Sequence, residues 1–169
     1  MYICKRCLNL FLQHVVTRIM FMKRLSVLMW LFLLIPTVTV LSAQPLYVGE
    51  FNIRNDNAKD AVAGNGWAVR CPVVCDILKV EAFDIFGTQE VLHNQLQDML
   101  AALPDYDYIG VGRNDGKTSG EYAAVFYKKD RVKCLANGNF WLSETPDKPS
   151  KGWDAACIRN ATYVKLTHK

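Results

Sequence analysis

Apolar residues change their spacing along the chain, and each spacing predicts a different kind of element. Residues 46–53 have the pattern of a strand, whereas residues 55–66 combine Asn, Asp and Gly as loops do. Residues 67–80 have apolar positions at helical spacing and predict a helix, in which Pro72 is tolerated only within the first turn. Those apolar positions are Val73, Val74, Ile77 and Leu78.

A second helix is predicted over residues 93–103, because Leu96, Leu100 and Leu103 fall on one stripe and Pro104 follows. Further strands are predicted at residues 85–88, 106–112, 123–127, 132–142 and 159–166. The order strand, helix, strand, helix and then consecutive strands predicts an α+β layered domain built on mixed sheets.

The first 43 residues predict a targeting segment. A positive start, an apolar run, a Pro break and a small-residue cleavage site occur in order at residues 22–24, 25–34, 36 and 41–43. We therefore expect translation to start at Met22, with residues 1–21 upstream of the true start, and the exported chain to begin near Gln44. A membrane anchor is the alternative, but Pro36 weakens the uncharged stretch as a spanning helix, so no stable anchor is expected.

Charge is distributed unevenly between this leader and the rest of the chain. The full sequence has a net charge of +4, yet residues 44–169 hold fifteen basic and sixteen acidic side chains, a net charge of −1. A protein that binds nucleic acid or membranes through charge needs a broad basic face. We expect no such face here.

The six cysteines fall into two groups. Cys4 and Cys7 form a CxxC pair without a second Cys or His pair at zinc-site spacing, so we expect no metal site there. The other four are Cys71, Cys75, Cys134 and Cys157. In an exported chain they permit disulfides with three connectivities, and buried free thiols are equally open.

Polar side chains occur where the predicted strands end. Gln89 and Glu90 follow the strand at residues 85–88. A carboxylate in that place is a natural Mg²⁺ ligand, because Mg²⁺ is typically held by one or two carboxylates plus substrate phosphates. The alternative is a solvated turn. Further polar stretches at strand ends, which we expect to converge on Glu90, are Asn52-Ile53-Arg54, Gly112-Arg113-Asn114, Gly120-Glu121-Tyr122 and Arg159.

Several ordered phrases are similar to those of the endonuclease/exonuclease/phosphatase superfamily, and of its exported bacterial members in particular: FNIR, DIFGTQEV, IGVGRNDG, GEYAAVFYKKDRV and FWLSETPD. The resemblance runs from Leu46 to Lys169. It implies an α+β fold, the N-terminal half of a four-layer α/β sandwich in which helices flank two mixed β-sheets. It also implies an exported, monomeric, metal-dependent hydrolase of phosphate esters, with Mg²⁺, or Mn²⁺ in its place, as cofactor. Nucleic acid, a sugar phosphate, an inositol phosphate and a phospholipid headgroup are all open as substrates.

The resemblance further implies roles for five residues. Glu90 matches the metal-binding Glu, Asn52 the active-site Asn beside metal and phosphate, and Glu121 the carboxylate that orients the catalytic His. Arg159 resembles an arginine near the scissile phosphate, and Arg54 a residue that touches the substrate backbone. The simpler alternatives are that Asn52 caps a turn, that Glu121 is a solvated charge and that Arg159 pairs with the Asp five residues before it.

Three motifs of the family are absent from the sequence: N-T-H-x-D with the catalytic His, G-D-F-N, and a terminal S-D-H. We do not assign His168 as the catalytic His. We therefore expect this chain to be truncated and, by itself, inactive as a phosphoesterase. A non-catalytic exported binding domain and a non-functional gene fragment are the alternatives.

Overall fold

Residues 45–169 are the part of the chain that the computed structural model describes. Their elements are β1 Val48–Asn52, α1 Ala58–Val62, α2 Trp67–Glu81, β2 Ile85–Val91, α3 His93–Ala102, β3 Tyr106–Ile109, β4 Tyr122–Lys128, β5 Val132–Trp141 and β6 Asn160–His168. None of the helices in this range is long and apolar enough to cross a membrane. The predicted leader and its Cys4-Cys7 pair lie outside the described residues.

The strands form two sheets. The larger sheet has the order β1-β2-β4-β3, with β1 parallel to β2 and the other neighbours antiparallel. The smaller sheet pairs β5 with β6 in antiparallel fashion. The predicted α+β class is confirmed. Because β1 and β2 are parallel and Asn52 lies opposite Gln89, the two strands present their carboxyl ends at the same edge of the sheet.

The core lies between the larger sheet and the two long helices. Phe86 of β2 and Phe126 of β4 are fully buried and stack with ring centroids 4.9 Å apart, and Tyr106 of β3 meets the Phe86 ring edge-on at 5.3 Å. Leu78 of α2 and Leu96 of α3 belong to the same buried cluster. Alternate strand residues face this cluster, which is why β2 and β4 alternate between buried and half-buried positions.

The loop predicted over residues 55–66 contains a short helix, α1, so that prediction is wrong over residues 58–62. Asn57 provides the reason, since its side-chain oxygen accepts the backbone N–H of Asp60 at 3.0 Å. Asn is a strong N-cap residue, and one capped turn forms among residues that otherwise favour loops.

Helix α2 was predicted correctly in extent but not in its buried face. Val74 and Leu78 are buried as expected, whereas Val73 and Ile77 are exposed. Trp67 explains the rotation, because its ring is buried at the start of the helix. The predicted restriction on Pro72 is also wrong: it lies inside the helix, beyond the first turn. The four cysteines of the described residues are free thiols, two of them in α2.

Candidate active site

Glu90 lies at an irregularity near the end of β2. The pairing of β2 with β4 shifts between Thr88 and Val91, and Glu90 has a φ of 62°. A glutamate in the left-handed region is strained, and such strain concentrates at functional sites. A β-bulge redirects a side chain from the regular alternation of its strand, and Glu90 lines a cleft at this edge.

Asn52, at the end of β1, holds the Glu90 carboxylate. Its side-chain N–H group donates to Glu90 Oε1 at 2.9 Å, while its side-chain oxygen accepts the backbone N–H of Arg54, also at 2.9 Å. The side-chain oxygen of Asn52 therefore does cap a turn, as the simpler alternative states. Its amide nitrogen contacts Glu90 at the same time, and its role beside a metal stays a prediction.

The loop after β1 is held in place by two side chains from the helices. The Arg70 guanidinium of α2 donates to the carbonyls of Ile53, Arg54 and Asn55. Gln95 of α3 is fully buried and donates to the same Arg54 carbonyl at 3.0 Å. These bonds fix the path of the backbone beside Glu90.

Asn55 connects the two carboxylates of the cleft. Its backbone N–H donates to Glu90 Oε2 at 3.3 Å, and its side-chain N–H donates to Glu121 Oε1 at 3.0 Å. The other oxygen of Glu121 forms an ion pair with Arg113, and both side chains are about one-fifth exposed, at 20% and 19%. Glu121 is therefore not the solvated charge of the simpler alternative.

A cleft of about 130 Å³ brings three of the five predicted residues together, and its lining residues are Gln89, Glu90, Arg113, Glu121, Tyr122, Ala123, Arg159 and Asn160. Among the described residues, the Arg159 guanidinium has no hydrogen-bond or ion-pair partner, and Asp154 in particular does not pair with it. A partnerless guanidinium in a polar cleft is available to an anion.

Arg54 does not line this cleft, although its charge helps to lower the pKa of Glu90. Its guanidinium bonds both carboxylate oxygens of Asp60, and its side chain is 64% exposed. The hydrogen bond from Arg54 lowers the pKa of Asp60 to about 2. The predicted contact of Arg54 with substrate stays a prediction.

The Glu90 carboxylate is charged at neutral pH. The hydrogen bond from Asn52 lowers the pKa of Glu90 below its ordinary value, and this effect exceeds the opposing effect of burial. The backbone N–H of Asn55 and the charges of Arg54 and Arg113 act in the same direction as Asn52. Within residues 45–169, no three His, Cys, Asp or Glu side chains are grouped closely enough to hold a metal ion. A single charged carboxylate fits Mg²⁺, which usually keeps several waters and takes oxygens from substrate phosphate.

The two described histidines lie elsewhere. The Nδ1 atom of His93, at the start of α3, lies 3.1 Å from the Tyr122 hydroxyl. His168, at the end of β6, bonds the carbonyl of Lys169. Neither lines the cleft.

A larger cavity, of about 470 Å³, lies at the amino end of β2. The two cationic side chains in its wall are already engaged: Arg131 pairs with Asp84 at 3.1 Å, and Lys128 donates to the carbonyl of Ala82. Asp84 also accepts the backbone N–H of Tyr47 at 3.0 Å. These contacts connect β1, α2, β2 and β4, so we interpret this region as structural despite its size.

Sequence patterns did not single out Asn55, Arg70 or Gln95. Gln95 could have been recognised, because it lies beside Leu96 of the predicted apolar stripe and could therefore be buried. A fully buried amide, as Gln95 is, must find hydrogen-bond partners. Asn55 offers only its position directly after a strand end. Arg70 offers none, since an arginine in the first turns of a helix is usually a solvated charge.

No protein-family model and no curated protein matches the chain. Solved structures do. A mannosyl-6-phosphatase from Bacteroides thetaiotaomicron is 50% identical with a TM-score of 0.72, and the match covers 73% of this chain and 46% of that one. An endonuclease/exonuclease/phosphatase from Bacteroides vulgatus is 49% identical with a TM-score of 0.67, over 73% and 46% of the two chains. The human Nocturnin catalytic domain, at 18% identity and a TM-score of 0.55 over 74% and 45%, shares the fold. This chain thus spans less than half the length of each of these three structures.

Proposed function

The chain belongs to the endonuclease/exonuclease/phosphatase superfamily, and from this premise we propose that it forms the metal-binding and phosphate-binding side of an exported phosphoesterase dependent on Mg²⁺, or on Mn²⁺ in its place. The observation that carries the proposal is the cleft in which Glu90, Glu121 and Arg159 meet. Glu90 lies near the end of β2, whereas Glu121 and Arg159 directly precede β4 and β6, so only the folded chain brings them together.

Glu90 is the proposed metal ligand. Mg²⁺ bound there supplies a Lewis acid that polarises a phosphoryl oxygen. Asn52 and Asn55 orient the Glu90 carboxylate by donating one hydrogen bond to each of its oxygens. Neither donor carries a charge, so the negative charge of Glu90 is left for a cation.

Arg159 is the proposed phosphate ligand. A guanidinium without a protein partner can donate two parallel hydrogen bonds to phosphate oxygens. Such a donor stabilises negative charge that develops during phosphoryl transfer. In this proposal Arg159 and Glu90 hold the substrate from two sides, one through the phosphate directly and the other through the metal.

Glu121 is the proposed orienting carboxylate for a general-base histidine, as the family resemblance implies. The described histidines do not line the cleft, which supports a proposed role of residues 45–169 in binding and orientation rather than in the activation of water. The same observation favours a second candidate function, in which the domain binds phosphate esters without hydrolysing them.

A sugar phosphate monoester is the proposed substrate class. The mannosyl-6-phosphatase at 50% identity supports this choice. The net charge of −1 over residues 44–169 also supports it, because nucleic-acid binding draws most of its affinity from basic side chains on phosphates.

Calorimetry with mannose 6-phosphate in the presence of Mg²⁺ tests the proposal. Arg159→Ala should weaken binding about tenfold or more, because a hydrogen bond to a charged group contributes roughly 1.5–3 kcal/mol. Lys165→Ala is the matched control: it removes an exposed cation from β6, the strand that Arg159 directly precedes, about 20 Å from Arg159 at the usual rise of a strand. Equal binding by the two variants would contradict a phosphate role for Arg159.

Release of inorganic phosphate in the same samples separates the two candidate functions. We expect binding without turnover from this chain. Sustained Mg²⁺-dependent release that Glu90→Gln abolishes would instead show that these residues activate water unaided. Preferential binding of a DNA oligonucleotide over mannose 6-phosphate would overturn the proposed substrate class.

A further inference from the structure

The two carboxylates of the cleft are held in different ways. Glu121 accepts from Asn55 Nδ2 on one oxygen and forms an ion pair with Arg113 on the other. Glu90 accepts from two uncharged groups, and within residues 45–169 no cation pairs with it directly. The carboxylate with the cationic partner is therefore much less free to turn toward a metal.

Arg113 is itself fixed at both ends of its backbone. Its N–H donates to the Glu121 carbonyl at 3.1 Å, and its carbonyl accepts the Trp141 Nε1–H group at 2.7 Å. Gly112, just before it, approaches Ser119 so closely that a Cβ would lie 2.4 Å from the Ser119 carbonyl oxygen. The position of Arg113 is thus set by a tight turn and by the smaller sheet.

The Arg113 side chain is also poorly solvated. It is 19% exposed, and its Nε atom is buried without a hydrogen-bond partner. Burying a charged group is costly unless it is paired, so the ion pair with Glu121 offsets that cost. An exposed surface pair would contribute little, but a pair in these surroundings holds both members in one geometry.

We propose that Arg113 is a positioning residue that holds Glu121 at the wall of the cleft, so that Glu90 is the single cleft carboxylate within residues 45–169 offered to a metal. This inference rests on the proposed metal site. One carboxylate suits Mg²⁺, which keeps several waters, whereas a larger and more flexible set of carboxylate oxygens suits Ca²⁺. Arg113 thus influences which cation binds without contacting it.

Displacement of Mn²⁺ by Mg²⁺ and by Ca²⁺, followed by the electron paramagnetic resonance of free Mn²⁺, measures both affinities in the purified protein. Arg113→Gln should raise the affinity for Ca²⁺ relative to Mg²⁺ about tenfold, because Glu121 becomes available as a second ligand. Arg113→Lys keeps a cation beside Glu121 and should keep the ratio of the unaltered protein. Combining Arg113→Gln with Glu121→Gln should remove the gain.

Arg159→Gln controls for charge, because it removes a cation from the same cleft without contacting Glu121. It should change both affinities by the same factor. Asn55→Ala removes the other side-chain contact of Glu121 and provides a second variant, which should shift the ratio in the same direction as Arg113→Gln. It decides the question if Arg113→Gln does not fold.

An unchanged ratio of Ca²⁺ to Mg²⁺ affinity in the folded variants would overturn the positioning role and leave the metal site standing. A shift that persists in the combination with Glu121→Gln would also overturn it. Absence of Glu90-dependent Mn²⁺ binding in the unaltered protein would overturn the proposed function, and this inference with it.

Discussion

The larger and the smaller sheet differ in how much of their apolar surface is covered. Phe86 and Phe126, in the larger sheet, are fully buried. In the smaller sheet, Leu135 and Tyr163 are more than half exposed, at 54% and 55%, and Phe140 is 38% exposed. A two-stranded ribbon is marginally stable in water unless other elements cover it. The larger sheet therefore stabilises the described residues, and the smaller one depends on it.

Residues from both sheets line the cleft. Glu90 lies in β2 of the larger sheet and Glu121 directly precedes β4 of the same sheet, whereas Arg159 directly precedes β6 of the smaller one. A few hydrogen bonds join β5 and β6 to the rest, among them Trp141 Nε1 to the Arg113 carbonyl at 2.7 Å and Asn160 Nδ2 to the Val111 carbonyl at 3.3 Å. We expect the carboxylate side of the cleft to be the more rigid side.

The largest effect should follow from emptying the core of the larger sheet. Phe86→Ala should lower the free energy of unfolding by about 3–5 kcal/mol, because it removes a buried ring and leaves a cavity. Tyr163→Ala removes a ring of similar size from the smaller sheet and should cost less than about 1 kcal/mol, since that ring is more than half exposed. Urea denaturation measures both, and equal losses would refute the contrast between the sheets.

An intermediate effect should follow from weakening the connection between the sheets. Trp141→Phe keeps a buried ring but leaves the Arg113 carbonyl without its donor, which should cost about 1–3 kcal/mol. Hydrogen exchange should show the loss of protection in β5 and β6 before β2 and β4. Uniform loss of protection in all four strands would mean that the two sheets open as one unit.

The smallest effect should be the pH dependence of stability that Asp84, just before β2 of the larger sheet, contributes. Burial raises the pKa of Asp84, but the Tyr47 N–H and the Arg131 guanidinium outweigh it, so the folded pKa lies below the ordinary value. The stabilisation is therefore present above the unfolded pKa, about 3.9, and is lost as the pH falls through the folded pKa. Between pH 5 and pH 2, the melting temperature of Asp84→Asn should fall less steeply than that of the unaltered protein.

Asp105→Asn is the control for this measurement, because Asp105 is exposed and forms no ion pair with the described residues. Strands β5 and β6 contain no acidic residue, so the smaller sheet should contribute nothing to the slope. If the melting temperatures of the unaltered protein and Asp84→Asn depend identically on pH, Asp84 does not contribute to the acid sensitivity.

The spacing of apolar residues predicted most helices and strands, because it depends on the geometry of the single element in which the residues lie. Leu96 and Leu103 are spaced for one helical face, and both are buried as that spacing requires. The exposure of Val73 depends instead on how Trp67 orients α2 against its neighbours. The spacing of apolar residues within the helix does not specify that orientation. The sequence did not single out Asn57 as a cap, because Asn is common both in loops and at the start of helices.

Some features of the candidate site could likewise be predicted from the sequence, and others could not. Glu90 could be selected from the sequence because it ends an apolar strand, and family resemblance selected Glu121 and Arg159. The bulge at Glu90 and the contact of Asn55 with both carboxylates arise from pairing between distant strands. Such contacts depend on strand register, and no local pattern of residues specifies them.

Titration of the protein with Mn²⁺, with Glu90→Gln compared against Glu50→Gln, measures whether Glu90 holds a metal ion. Glu50 is a matched control, since it lies on the neighbouring strand, bonds Gln89 at 2.6 Å and does not line the cleft. We predict weak binding, with a dissociation constant on the order of millimolar because one carboxylate supplies the protein charge. Binding should be lost in Glu90→Gln and retained in Glu50→Gln. Equal binding by the unaltered protein and both variants would show that Glu90 holds no metal.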